Sequence, residues 1–376
     1  MGDFNLCNQG TLTLQTDRET DGRTTVCRTN TALCVASRGK MVINCLLQDV
    51  MKQSDLAAMR DETVYNCGFI VVKPTAVNRR IYTLVQNMTR RSNRVNDQQA
   101  LNRAIRIIRR QKFQTRATYL NKFLYMDGML YFERMKRHLP GTKDSCSSVN
   151  KTNCPVLVVH NNWIVSKQAK IYRFREHYMW SYDGKDGYYS SQSRNYMMYT
   201  NPDPRNISLH KLRNSQLSSL GTALALGYLL DRTVILPKFY CTPMGHTCPL
   251  NSYIRIAVFD YVFKGKYRES NFLHHAKVPN AVKQNLSYRP LTLHATRLQS
   301  SSKQLTIDSD SVVSLFHGKK DRLINFGILA GTKITFSDNS TKNTFNQKIY
   351  RAFVKSNYRQ MKYGEHLWPE IVGYDT

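Results

Sequence analysis

Three short runs carry residue types that can bind a polar ligand or a metal ion. His160, Asn161 and Asn162 close the apolar run Val156 to Val159, Asp97 and Gln98 open a periodic segment, and Asn66 and Gly68 flank Cys67 just ahead of Phe69 to Lys73. An imidazole at the end of a buried strand can ligate a metal or a polar ligand, because ligands of open α/β sheets collect where strands end. A packed structural histidine fits the same position. Lys167, Lys170, Arg173 and Arg175 follow closely, and ammonium and guanidinium groups can neutralise a diphosphate. Asp97 and Gln98 could hold sugar hydroxyls. Alternatively, Asp97 complements a helix dipole, worth ~1 kcal/mol or less. Gly68 permits a close approach of backbone to a ligand or another chain, or it belongs to a turn leading into a strand.

Each run needs an element to position it. Phe69 to Lys73 reads as a short buried strand that Pro74 stops, since proline gives no N–H to the next rung of a sheet. From Asp97 onward, Ala100, Leu101, Ala104, Ile105 and Ile108 fall at helical spacing, with Arg103, Arg106, Arg109 and Arg110 on the other face. Val156 to Val159 is a second buried strand, with His160 at its C-terminal end.

In order and spacing, these runs resemble the nucleotide-diphospho-sugar transferase family, which includes plant cell-wall arabinosyl-, xylosyl- and galactosyltransferases and invertebrate relatives. Its pattern is an N-S/T-G-F strand, K/R-P-T, a D-Q-x-x-x-N helix and a late H-x-N strand. Asn66, Gly68, Phe69, Lys73, Pro74, Thr75, Asp97, Gln98, Asn102 and His160 meet it, over about residues 50 to 180. The resemblance implies an A-type glycosyltransferase fold, a nucleotide-sugar donor, a glycan or glycoprotein acceptor and a manganese (or magnesium) cofactor. It also implies roles. Asn66, Gly68 and Asn161 would line the donor or acceptor, Asp97 and Gln98 would position sugar hydroxyls or the acceptor, His160 would bind metal or diphosphate, and Lys167 and Lys170 would screen phosphate. Relatives usually sit in the Golgi, so the secretory lumen is the expected compartment.

Two departures stand out. An aspartate-x-aspartate pair, which in this fold holds the divalent ion, is expected before residue 50, but Asp3, Asp17, Asp21 and Asp49 do not have that spacing. Asp308 and Asp310 have it and lie far downstream, where they read as a loop. Ser166 replaces a glycine common in relatives. The expectation is therefore an incomplete transferase domain, with catalysis in this chain an open point and a non-catalytic glycan- or protein-binding role as the alternative.

With 376 residues and 41% hydrophobic content, the chain can bury two cores. A net charge of +29 implies an anionic partner. Nucleic acid is one class, given Arg79, Arg80, Arg90, Arg91 and Arg94 beside the helix arginines. However, neither zinc-finger spacing nor a ribonucleoprotein or helix-turn-helix motif accompanies them, so it ranks below sugar nucleotide. The nine cysteines form no C-x-x-C pair. Cys146 with Cys154, and Cys241 with Cys248, bracket loops that could close as disulfides, as suits a lumenal compartment. The sequons at Asn87, Asn150, Asn206, Asn285 and Asn339 agree, although Asn87 falls where a helix is expected. No apolar stretch reaches the ~20 residues of a membrane span.

Downstream, residues 181–207 read as a linker rich in tyrosine, glycine and serine. From about Ser208, S-Q-L-S-S-L-G-T-A-L-A-L-G-Y-L-L followed by V-I-L-P reads as a helix and a buried strand, the opening of an α/β layer. This segment resembles the nucleotide-binding half of protein O-fucosyltransferases, with Leu212 to Gln216 in place of a glycine-rich start. The expected fold class is α/β throughout. An atypical, poorly ordered N-terminal segment (1–50) precedes an incomplete A-type, Rossmann-like transferase domain (51–180), the linker (181–207) and a second Rossmann-like domain (208–376).

Overall fold

A computed structural model of the chain describes residues 32–34, 49–134 and 156–354, with gaps at 62, 93–94, 157, 165, 181, 184–186, 206, 292–304 and 317. It divides into two compact units, residues 1–164 and 165–376.

In the first unit the strands are β1 (Ala32–Cys34), β2 (Leu56–Asp61), β3 (Val64–Val72), β4 (Ala117–Tyr119), β5 (Tyr125–Asp127) and β6 (Val158–His160), with helices α1 (Ala76–Arg91) and α2 (Asp97–Arg110) after β3. β2 pairs antiparallel with β3 and parallel with β4. β6 pairs parallel with β5 and antiparallel with β1. Residues 32–34 thus take part in a sheet, within a segment expected to be poorly ordered.

Leu56 and Ala58 of β2 pack with Ile81, Leu101, Ile105 and Ile108 of the helices, while Ala57 and Met59 join Phe69, Val71, Leu120 and Tyr125. A strand covered on both faces needs this unbroken apolar run. Each fully buried Ile or Leu is worth ~1.5–3 kcal/mol relative to exposure. Thr75 caps α1 by accepting the Asn78 N–H. Asn96 and Gln99 form a reciprocal capping box on α2. The apolar stripe read from the sequence, Ala100, Leu101, Ala104, Ile105 and Ile108, is the buried face of α2.

The second unit contains α3 (Lys167–Glu176), β7 (Tyr196–Thr200), α4 (Leu209–Leu229), β8 (Thr233–Ile235), β9 (Phe239–Tyr240), β10 (Thr247–Cys248), β11 (Tyr267–Arg268), β12 (Leu286–Tyr288), β13 (Leu305–Asp308), α5 (Ser309–Phe316), β14 (Leu323–Ile328), β15 (Thr332–Thr335) and α6 (Asn339–Ile349). Among the described residues, β11, β8, β7, β14 and β12 form, in that order, a parallel sheet. α4 and β8 are the helix and buried strand that the sequence pattern suggested, and β7 ahead of them completes a βαβ unit. Gly227 lets α4 lie against β8, since a Cβ there would meet Val234 Cγ2 at 2.6 Å.

Three expectations need correcting. The stretch 181–207 is no linker, because it supplies β7 at the centre of the sheet and the buried Tyr188 and Tyr189 of the core. Asp308 and Asp310 do not lie in a loop: Asp308 ends β13 and accepts the Ser311 N–H (2.8 Å) and Oγ–H (2.7 Å) in the first turn of α5, which contains Asp310. The first unit ends at Ile164, so α3 belongs with the second. There, Asn271 donates to the carbonyls of Arg175 (2.9 Å) and Glu176 (3.1 Å), groups that a helix end leaves without partners.

Cys241 and Cys248 form a disulfide with Cα atoms 5.6 Å apart, bracketing the hairpin of β9 and β10, while Cys146 and Cys154 lie outside the described residues. The Asn87 sequon falls within α1, as expected, and Asn339 opens α6. Asn285 lies in an exposed position after a short helix, and Asn150 and Asn206 are outside the described residues. Among the described residues no helix is long and apolar enough to cross a membrane.

Glu176 generates a test of packing. One carboxylate oxygen accepts the Leu250 N–H (3.0 Å), while Oε2 is buried without a hydrogen-bond partner. Burial raises its pKa from 4.5 to about 8. The folded state therefore holds a proton that the unfolded state releases above pH 4.5, so this contribution is fully present below that pH and is lost as pH rises through about 8. Melting temperature should fall from pH 5 to pH 8, and Glu176→Gln should flatten the fall. An unchanged profile in the variant would disprove a neutral Glu176.

Candidate functional site

Asn66 is 1% exposed and lies inside β3, not in a turn ahead of it. Pairing steps from Ala58↔Ile70 directly to Met59↔Asn66, so Cys67, Gly68 and Phe69 bulge from the ladder. The Asn66 carboxamide holds the bulge: Oδ1 accepts the Gly68 N–H (2.7 Å), and Nδ2 donates to Asp61 Oδ2 (3.2 Å) at the end of β2. Asn102 of α2 clamps the same stretch, donating to Tyr65 O (2.7 Å) and accepting Tyr65 N–H (3.0 Å).

The close approach anticipated at Gly68 is made by His160. A Cβ on Gly68 would stand 1.6 Å from the imidazole Cε1 and Nδ1. His160 itself is 1% exposed, and Asn161, which follows it, is fully buried. Gln98 donates from Nε2 to Asp61 Oδ2 (3.1 Å), so it orients a carboxylate. Asp97 Oδ1 accepts the Gln98 N–H (2.8 Å), a contact within the first turn of α2. Lys167, exposed, and Lys170, buried, belong to α3 of the second unit.

Asp61 marks a cleft of about 190 Å³. Arg60 and Asp61 from the end of β2, Asp127 from the end of β5 and Trp163 beyond β6 line it, with Lys122 from the turn between β4 and β5. Met129 and Leu130 supply apolar wall. Asp127 is the register partner of His160. Its Oδ1 accepts the Leu130 N–H (2.8 Å), and Asn162 Oδ1 accepts the Gly128 N–H (2.6 Å), tying the exits of β5 and β6 together. Beside the cleft the Arg60 guanidinium lies 5.5 Å from the Tyr119 ring centre, and Tyr119 stacks on Tyr65 at 4.4 Å. Burial pushes the Tyr119 phenol pKa up. The C-terminal ends of β2 and β5 thus deliver Arg60, Asp61 and Asp127, and the turn before β5 adds Lys122, at one place of the kind where α/β folds bind ligands.

Residues 40–174 match the family model for nucleotide-diphospho-sugar transferases. No curated protein and no solved structure matches the chain. The matched segment covers β2 to β6, the whole cleft and all but the last two residues of α3. Sequence reasoning missed Arg60, Asp61, Lys122, Asp127 and Trp163. Asp61 had a legible signal, a carboxylate closing the apolar run L-A-A-M, whereas Asp127 ends a strand of only three residues.

Among the described residues no three His, Cys, Asp or Glu side chains gather as a metal site. The described residues by themselves do not make up a side-chain donor set for a manganese ion.

The fit between Gly68 and His160 gives a clean cycle. Gly68→Ala should destabilise the fold by ~1–3 kcal/mol, the usual cost of overpacking. In a His160→Ala background the same change should cost little, measured by denaturant unfolding. Additive losses would show that the two residues do not press on each other.

Proposed function

We propose that the cleft at the ends of β2, β5 and β6 binds a nucleotide-diphospho-sugar and transfers its sugar to a glycan or glycoprotein acceptor. The observation carrying this reading is the pairing of Arg60 and Lys122 with Asp61 and Asp127 in one cleft of the transferase segment. Arg60 and Lys122 offset the diphosphate charge. Asp61, fixed through Oδ2 by Asn66 and Gln98, presents its carboxylate to sugar hydroxyls. Trp163, 47% exposed, offers a flat face for a sugar or base. The cleft is smaller than the ~300–1,000 Å³ typical of ligand pockets, so it takes the sugar and diphosphate, with the nucleoside passing beyond Trp163. Gln98 and Asn66 are positioning residues in this scheme. The Cys241–Cys248 bridge supports a secretory-lumen setting.

Thermal-shift titration of the full chain with UDP- and GDP-sugars, manganese present throughout, tests the reading, because a ligand bound only by the folded state raises the melting temperature. One donor should give a saturable shift that Asp61→Asn and Arg60→Ala each weaken about tenfold or more in affinity, about 1.4 kcal/mol. Gln98→Ala should weaken it less. No shift with any donor overturns the reading, and a shift without sugar transfer points to a binding role alone.

A further inference from the structure

Helices α1 and α2 form a hairpin whose inner face is the core of the first unit and whose outer face is almost purely cationic. Each helix carries four arginines, all exposed, and Asp97 is the one acidic residue on either helix. Arg103, Arg106 and Arg110 recur at i, i+3 and i+7, so they share one stripe. The hairpin is antiparallel: Arg80 near the start of α1 lies 4.7 Å over the ring of Phe113, which follows the end of α2. Phe113 is itself 41% exposed, giving the basic surface an aromatic patch.

A chain of contacts links this surface to the cleft. Arg109 Nη2 donates to Tyr65 Oη (3.2 Å), the buried Tyr65 stacks beneath the exposed Tyr119, and Tyr119 lies under Arg60, which lines the cleft. The arginines of the hairpin, Tyr119 and Arg60 thus form a track toward the proposed sugar site, underpinned by Tyr65.

We infer that this track binds an anionic glycan, a chain bearing uronate or sulfate groups, as the acceptor. The inference rests on the transferase reading and specifies its acceptor class. Clustered guanidiniums complement carboxylate and sulfate oxygens, and exposed rings between them suit sugar faces. The formed disulfide favours a compartment where acidic glycans, rather than nucleic acids, are the abundant polyanions.

The experiment measures binding of the full chain to a chondroitin sulfate oligosaccharide and to a single-stranded RNA of matched length and charge, without any nucleotide sugar. The glycan should bind more tightly than the RNA, with affinity falling steeply as salt is added. The triple variant Arg103→Gln, Arg106→Gln, Arg110→Gln should lose about tenfold in glycan affinity, while its donor-induced thermal shift stays unchanged. Tighter binding of RNA, glycan binding that the variant leaves intact, or no glycan binding at all overturns the inference. Because donor binding is read separately, failure of the glycan assay beside a normal donor shift refutes the acceptor and leaves the transferase reading standing. Absence of the donor shift beside retained glycan binding refutes the transferase reading, and with it the acceptor role, and leaves only a glycan-binding surface.

Discussion

The carboxamide of Asn66 fixes the geometry on which the first unit's site depends. Its oxygen takes the Gly68 N–H and its nitrogen holds Asp61. A buried amide with these partners satisfied keeps the bulge in one conformation, because releasing either group would leave a buried polar atom bare at ~1–3 kcal/mol. The bulge brings a glycine backbone against the His160 ring, and the same side chain, with Gln98, sets the carboxylate facing the cleft. One hydrogen-bonding group thereby couples strand register, packing and ligand-facing charge.

Much of this was legible in the sequence, for identifiable reasons. α2 declared itself because its period, Asp97 in its first turn and its arginine face all agree. The helix and strand that follow Ser208 were equally plain, since α4 is long and rich in small residues and β8 is a short apolar run, whereas β7 ahead of them was not read. Asn66, Gly68, Gln98 and His160 were singled out in the sequence, but their contacts with one another and with Asp61 depend on a register shift that no periodicity encodes. Asp127 and Trp163 stayed hidden because very short strands leave no alternation to read.

The tyrosine-rich stretch 181–207 misled for a physical reason. Glycine, serine and charge suggested solvent exposure, yet Tyr188 donates to Glu269 (2.6 Å) and lies between Arg175 (3.3 Å) and Arg268 (4.0 Å). Burying polar side chains in such a cluster is affordable only when each finds a charged or aromatic neighbour, and those neighbours come from far along the chain. Local composition carries no trace of them.

The placement of α3 bears on how such proteins are assembled from parts. The family pattern runs to residue 174, but Phe174 is buried in the second unit, and Asn271 closes the helix two residues further on. The boundary of the family pattern is therefore not a boundary of the fold. A recombination event or proteolytic cut placed there would run through α3 and leave the second unit without a complete helix of its own.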